Sequence, residues 1–336
     1  MEFSWCHILF IDNLNKLDVH KDSSLQLALT LKEMGRTVYL LFEEDFYFSN
    51  DIHPLFRVYD FKGEFEKESP YIRSFACGEP YDVDLNSHTV LHMRLDPPFD
   101  SRYLRYQWML SGLQERFGVR ILNDPNGILV NNEKMVSYQR VGAVSTFVGS
   151  SPDGFKNFLA RLRKKEHFPG LILKPLDLFQ GIGVEKISED ARDEDILIRF
   201  AEKQVEYGGP VVAQPYLKEV EKGEIRALYF NGKELGSIVK TPPEGEFLAN
   251  IARGATYESC QLEPEVEKAC REMAEDFAKK GVPWIAYDIL GGIIQEANLT
   301  CPGLLVEVSK AVGENLAVPL VESLEKYLLN SKMEKS

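Results

Sequence analysis

The sequence lacks a cysteine framework. Its five cysteines, Cys6, Cys77, Cys260, Cys270 and Cys301, are odd in number, far apart and without a CxxC pair, which argues against a disulfide scaffold and a zinc site and leaves reduced thiols. A long apolar run is missing too. The opening MEFSWCHILFIDNL has no basic stretch and already carries Asp12, so it reads as a first strand rather than a secretion signal, and no later segment reaches membrane-spanning length. The expectation is a cytoplasmic protein with no membrane partner. His7, His20, His53, His88, His92 and His167 show no metal spacing on a common helix face, and GxSxG is absent, so hydrolase chemistry finds no support. Positive charge is in deficit: 39 Lys and Arg stand against 52 Asp and Glu, for a formal net charge of -13. Such a chain repels nucleic acid, and any polyanionic ligand needs a local basic pocket. The basic run Arg161 to Lys165 reads as a solvated helix face.

What is present is an ordinary globular composition, 336 residues with 44% hydrophobic and 27% charged, enough to bury a sizeable core in two or three domains. HILFIDNL, SSLQLALTLKEMG and TVYLLF follow one another as strand, helix and strand, and VLHMRL adds a strand ending at the turn-rich DPPFD; this is the order of a parallel α/β layer. Residues 1–123 are expected to form it. ILVNNEKMVSYQ reads as a helix and LILKPL as a strand, placing a smaller α/β unit at 124–208. The remainder, 209–330, alternates the strands VVAQPYL, EIRALYF, LGSIVKT, IAYDILG and IIQEANL with a helix from Pro264 to Lys280 and ends in a helix over Ala317 to Leu329, as suits an α+β unit. Pro215 in QPYL suits an edge strand or a linker. A short polar tail, 331–336, is expected to fray.

Asp288 on IAYDILG and Glu296 and Asn298 on IIQEANLT lie on strands joined by Gly291-Gly292, which brings their oxygens together. Glu296 and Asn298, two apart, share one strand face. They read either as a hard-oxygen site for magnesium on nucleotide phosphates or as polar residues of a solvated face. Lys174, inside the apolar strand LILKP, is costly to bury unless it meets an anion. The following loop offers Gln180, Gly181 and Gly183, either to close over phosphates or as an ordinary turn. Lys134 is a helix residue or a ligand, with Asn131 and Asn132 available for capping. Gln214, Tyr216 and Leu217 could border an adenine or simply link two units. Arg226 and Lys240, on neighbouring strands, could stabilise phosphate and an oxyanion, or pair with Glu224 or Glu219. Asn250 and Arg253 belong to a loop that binds or connects. Asp22 or Ser23 caps a helix, and such a cap can bind an anion. Arg94, at the carboxyl end of a parallel strand, suits a substrate carboxylate.

KDSS, MRLDPPFD, NNEK, LILKPLD, AQPYL, GEIRALYFNG, ANIARG, YDILG and QEANLTCP occur in this order, and with them the chain resembles the prokaryotic glutathione synthetases almost end to end. The resemblance implies an ATP-grasp fold preceded by an α/β amino-terminal domain, in an ATP-dependent ligase joining γ-glutamylcysteine to glycine through an acyl phosphate. It implies Lys134 and Lys174 on phosphates, with the 180–183 loop over them, and Gln214, Tyr216 and Leu217 at the adenine. Arg226, Lys240 and Asn250 fall on the catalytic surface, and Asp288, Glu296 and Asn298 on magnesium or, alternatively, manganese. Ser23, Arg94 and Arg253 fall to the substrates, and a homo-oligomer is implied. Four segments depart from the family pattern. Leu178-Phe179-Gln180-Gly181 stands where the family has GMGG, Lys240 where it has a second arginine, FLANIARGAT in its glycine- and arginine-rich stretch, and Cys301-Pro302-Gly303 where it has SPT. A related ligase with other substrates and a nucleotide-binding protein without catalysis are the alternative readings.

Overall fold

In the computed structural model, which describes residues 5–164 and 167–333, the first strand β1 (Cys6–Ile11) is buried along almost its whole length. It lies between parallel neighbours on both sides, which is why CHILFI is apolar without alternation. The sheet adds β2 (Thr37–Leu41), β3 (Leu55–Phe65), β4 (Ile72–Asp84), β5 (Thr89–Arg94) and β6 (Arg120–Leu122) in the order β4-β3-β2-β1-β5-β6. The β3–β4 hairpin was not anticipated. It pairs antiparallel to the edge, and nearly all of β4 is exposed, so its sequence carries no core periodicity. Helix α1 (Ser23–Glu33) is capped by Asp22, whose Oδ1 accepts from Ser24 and Leu25 N–H at 2.8 Å. Helix α2 (Ser101–Phe117) covers the opposite face.

The segment expected as one helix over Ile128 to Gln139 is two short pieces, α3 (Pro125–Leu129) and α4 (Met135–Tyr138). Asn131 and Asn132 part them: Asn131 donates to the Gly127 carbonyl at 2.7 Å, and the Asn132 side chain accepts from the N–H groups of Lys134 and Met135 at 3.1 Å. Short amide side chains compete in this way with the helical ladder.

The second sheet contains β7 (Phe147–Gly149), β8 (Leu171–Pro175), β9 (Glu185–Ile187) and β10 (Val211–Pro215), ordered β7-β10-β8-β9 and antiparallel throughout. It therefore extends past residue 208 to Pro215. Strand β10 is interior rather than an edge, and Pro215 is tolerated because it is the last residue of the strand. Helices α5 (Pro152–Arg163) and α6 (Asp193–Tyr207) cover one face, with Phe155 stacked on Phe200 at 4.1 Å between centroids. Alternation along β8 sends Leu171 and Leu173 into this core and turns Ile172 and Lys174 to the other face. Lys165, of the expected basic helix face, lies outside the described residues.

The third sheet is β11 (Glu224–Phe230), β12 (Lys233–Thr241), β13 (Thr256–Ser259), β14 (Trp284–Leu290) and β15 (Ile293–Asn298), in the antiparallel order β13-β12-β11-β14-β15. Gly291 and Gly292 both have positive φ, 58° and 76°, as a tight two-residue hairpin turn requires. Helix α7 (Pro264–Lys279) packs on one face. Helices α8 (Leu305–Val312) and α9 (Ala317–Met333) pack on the other and also against α1, which explains why α1 is buried on all sides rather than along one stripe. Helix α9 runs into the expected tail, and residues 334–336 lie outside the described residues. No helix among the described residues is long and apolar enough to cross a membrane.

Asn123, buried just after β6, ties the first sheet to the third. Its amide donates to the carbonyls of Trp284 and Leu299 at 2.8 and 2.7 Å and accepts from Trp284 N–H at 3.1 Å. Asn123→Ala is expected to lower the unfolding free energy by about 2–4 kcal/mol, since buried backbone groups left unpaired cost roughly 1–3 kcal/mol each. Urea unfolding checks this.

Candidate active site

The inner faces of the second and third sheets enclose a cavity of about 470 Å³, closed at one side by the start of α1 and the end of β5. That volume lies within the roughly 300–1,000 Å³ of small-molecule sites. On the third sheet, register does the positioning. Arg226 on β11 is paired across to Asp288 on β14, and Asp288 is paired in turn to Glu296 on β15. Asp288 is ion-paired with Arg226 Nη2 at 3.1 Å and accepts hydrogen bonds from Lys240 Nζ at 3.1 Å and Asn298 Nδ2 at 3.0 Å. Lys240 also donates to Glu224 at 2.6 Å. Of the ion pairs foreseen for Arg226 and Lys240 with Glu224 or Glu219, the structure shows that of Lys240 with Glu224, with both side chains turned away from the surface.

These charges shift one another. Burial is the largest influence on Asp288 and raises its pKa, but Arg226 and Lys240, helped by the Asn298 hydrogen bond, outweigh it and hold the carboxyl at about 2. Burial likewise pulls Lys240 down, yet Asp288 and Glu224 leave it above its ordinary value. Glu224, paired with Lys240, is raised because burial prevails over that pairing.

Lys134 donates to Glu296 at 3.0 Å and to the Leu178 carbonyl at 2.8 Å. Lys174, from the facing sheet, has its pKa lowered by burial, which the fields of Glu296, Glu224 and Asp288 do not offset. Gln214 donates to Thr146 Oγ1 at 2.9 Å, and Lys186 lies 3.6 Å over the Tyr216 ring. With Leu217, both line the cavity. Gln180 keeps a positive φ of 53° and Gly181 one of 73°, so the loop retains a glycine-like shape although Gln180 falls in the segment where the family has GMGG. A residue other than glycine is strained in that region. Asn250 donates to the Gln180 carbonyl at 2.9 Å and thereby ties this loop to segment 247–252.

Of the expected site residues, Gly183 and Arg253 fall outside the lining. The Gly183 carbonyl faces Tyr207, which donates to it at 2.6 Å, and Arg253 is exposed. Ser23 lines the cavity and accepts from Leu305 N–H at 3.0 Å. Arg94 is 4% exposed, stacks on Trp284 at 4.3 Å, and donates to Ser24 Oγ at 3.0 Å and the Pro302 carbonyl at 2.9 Å; its Nη1 is buried without a hydrogen-bond partner.

Two features escaped the sequence. Glu133 accepts from Leu299 N–H, Thr300 N–H and Thr300 Oγ at 2.6, 2.8 and 2.9 Å and fixes the turn after β15; its adjacency to Lys134 was the available signal. Glu307, buried on α8, gave none. The lining holds six Lys and Arg but eight Asp and Glu, a formal excess of two negative charges.

Asp288, Glu296 and Asn298 supply two carboxylates and one amide, with Asn298 in contact with Asp288. Among the described residues no three His, Cys, Asp or Glu gather into a metal-ready group. An all-oxygen partial set of this kind fits magnesium, which is held by one or two carboxylates with phosphate oxygens and water in its remaining positions.

Residues 133–313 match the family model described as "Prokaryotic glutathione synthetase, ATP-grasp domain", and residues 6–128 match its N-terminal domain. The glutathione synthetase of Parasynechococcus marenigrum (strain WH8102) is 32% identical over 74% of this chain and 78% of its own length. That of Wigglesworthia glossinidia brevipalpis is 25% identical over 96% and 98%. Among solved structures, D-cycloserine synthetase DcsG superposes with a TM-score of 0.65 at 14% identity, covering 96% of this chain and 99% of that one. A D-alanine–D-alanine ligase from Bacillus anthracis complexed with ATP gives 0.55 at 17%, covering 98% and 100%. These structures establish the ATP-grasp fold.

Because the folded pKa of Asp288, about 2, lies below the ordinary aspartate value of 3.8, its stabilisation is present above the unfolded value and lost as pH falls through the folded one. Asp288→Asn is expected to be less stable than the parent at neutral pH, with the gap narrowing by on the order of 2 kcal/mol between about pH 5 and pH 2. Denaturant unfolding across that range reads it.

Proposed function

The chain belongs to the prokaryotic glutathione synthetase family, and from that membership we propose that it joins γ-glutamylcysteine to glycine while cleaving ATP to ADP and phosphate. The observation that supports this reading for the site itself is the cross-strand set Arg226, Asp288 and Glu296 facing Lys134 and Lys174 across one cavity. The substrate carboxylate attacks the γ-phosphorus, the bond to ADP breaks, and an acyl phosphate forms. The neutral amine of glycine then attacks the acyl carbon, phosphate leaves, and the nitrogen loses its proton. No protein nucleophile is needed.

In this reading Lys134 and Lys174 neutralise phosphate oxygens, and Gln214, Tyr216 and Leu217 border the adenine. Gln180 and Gly181 shape the loop above it, with Gly183 acting through backbone shape. Arg226 and Lys240 stabilise the charge that develops at phosphorus and carbon, and Asn250 holds the loop closed against water. Asp288, Glu296 and Asn298 would hold magnesium, or manganese in its place, which would supply charge neutralisation to the phosphates. Ser23 and Arg94 orient the peptide substrate, Arg94 by its free Nη1; Arg253 is left at the rim. A cytoplasmic homo-oligomer is the proposed state.

The test is ADP release by the purified protein with ATP and magnesium, the two substrates supplied separately and together, and the product weighed by mass spectrometry. Release that requires both, with the tripeptide formed, is the expected result. Release driven only by other amino acids or peptides would overturn the substrate pair, and nucleotide binding without any release would overturn the ligase activity.

A further inference from the structure

Helix α4 packs on β15, the strand that carries Glu296. Tyr138 ends this helix one turn beyond Lys134, and its N–H donates to the Lys134 carbonyl at 3.2 Å, so the two side chains share one helix face. Lys134 is ion-paired with Glu296 at 3.0 Å. Lys174 reaches the same region from the facing sheet, and its Nζ stands 5.5 Å over the Tyr138 ring. Tyr138 is itself outside the cavity lining, and its hydroxyl is buried without a hydrogen-bond partner. What it offers Lys174 is the face of its ring.

A lysine that is to meet phosphate has to stay charged in the free protein, yet burial lowers the pKa of Lys174. The carboxylates whose fields oppose that loss are engaged elsewhere: Glu296 is paired with Lys134, Glu224 with Lys240, and Asp288 with Arg226 and Lys240. An aromatic face attracts an ammonium through its quadrupole, most strongly where water is excluded. It carries no net charge to repel an incoming phosphate. A carboxylate in the same place would hold the lysine harder, but it would also oppose the phosphate's approach. Burial pushes the Tyr138 phenol well up, against the field of Lys134 and with that of Glu296, so the ring stays neutral.

Resting on the assignment of Lys174 to phosphate above, we infer that Tyr138 is a positioning residue for nucleotide binding: its ring face holds the Lys174 ammonium, charged and turned into the cavity, where a counterion would otherwise be needed. The two lysines are thereby held by different means. Glu296 steadies Lys134 by an ion pair, and Tyr138 steadies Lys174 without neutralising it. Tyr138 acts through Lys174 alone, by its ring and not by its hydroxyl.

The experiment is calorimetric titration of the full chain with ADP and magnesium, on the parent, Tyr138→Phe, Tyr138→Leu, Lys174→Met and the double variant of Tyr138→Leu with Lys174→Met. The Lys174 amine is followed in parallel by NMR of lysine labelled at Cε, its signal assigned by its loss in Lys174→Met. Tyr138→Leu, which keeps apolar bulk and loses the ring, is expected to weaken ADP binding at least about fivefold and to move the Lys174 titration to lower pH. Tyr138→Phe, which keeps the ring, should bring both back to near the parent. In the Lys174→Met background the same Tyr138→Leu change should cost less than about twofold, because the ring has lost its partner. Should Tyr138→Leu not fold, Tyr138→Met, unbranched and without a ring, takes its place with the same expectations. A Phe variant as weak as the Leu variant, an unmoved Lys174 titration, or the same loss with and without Lys174 would overturn the inference. ADP binding untouched by Lys174→Met would instead sink the assignment of Lys174 to phosphate, and a Lys174 titration that still moves with Tyr138→Leu would leave the ring contact standing.

Discussion

The structure turns on a charge problem in the third sheet. Asp288 sits between Arg226 and Lys240, and Lys240 between Asp288 and Glu224, with all four side chains at most a quarter exposed. Charges taken this far from water are tolerable only when paired in good geometry. The sheet provides that geometry through register alone, since cross-strand neighbours on one face are the closest side chains a sheet can offer. The packing of α7 on one face of the sheet and of α8 and α9 on the other, and the Asn123 tie to the first sheet, keep these strands in place. A pocket built from compensated charges can receive a phosphorylated ligand without unfolding around it.

The lining as a whole carries more carboxylates than cations, which bears on how a polyanion could enter. Neither the -13 of the chain nor the cavity wall attracts a nucleotide by net charge. In the proposed reading attraction would be local, through Lys134 and Lys174, and helped by a divalent ion that would turn Asp288 and Glu296 from repulsive groups into ligands. The carboxylate excess then becomes intelligible as part of a site for a metal-bound phosphate rather than for a free one.

Much of this was legible in the sequence, for reasons that can be named. The two-residue spacing of Glu296 and Asn298 and the glycine pair before them specify a strand face and a tight turn, and the charges of Arg226, Lys240 and Asp288 interrupt otherwise apolar strands. The long β3–β4 hairpin was hidden because an exposed edge strand such as ACGEPYDVD has no buried face to impose a period. The break between α3 and α4 was hidden because helix propensity does not report Asn131 and Asn132 bonding to the backbone. Glu133 and Glu307 look like surface glutamates until the chain folds over them. Gly183 and Arg253 were placed in the site by position in a motif, and neither lines the cavity.

The central claim is that nucleotide enters this pocket together with a divalent cation held by the sheet's oxygen ligands. Calorimetric titration of the full chain with ADP, with and without magnesium, on the parent and on Glu296→Gln, tests it most directly. The account predicts that magnesium strengthens ADP binding by at least about tenfold in the parent, and that most of this gain disappears in the variant. Equal affinity with and without magnesium in the parent, or an undiminished magnesium effect in the variant, would contradict it.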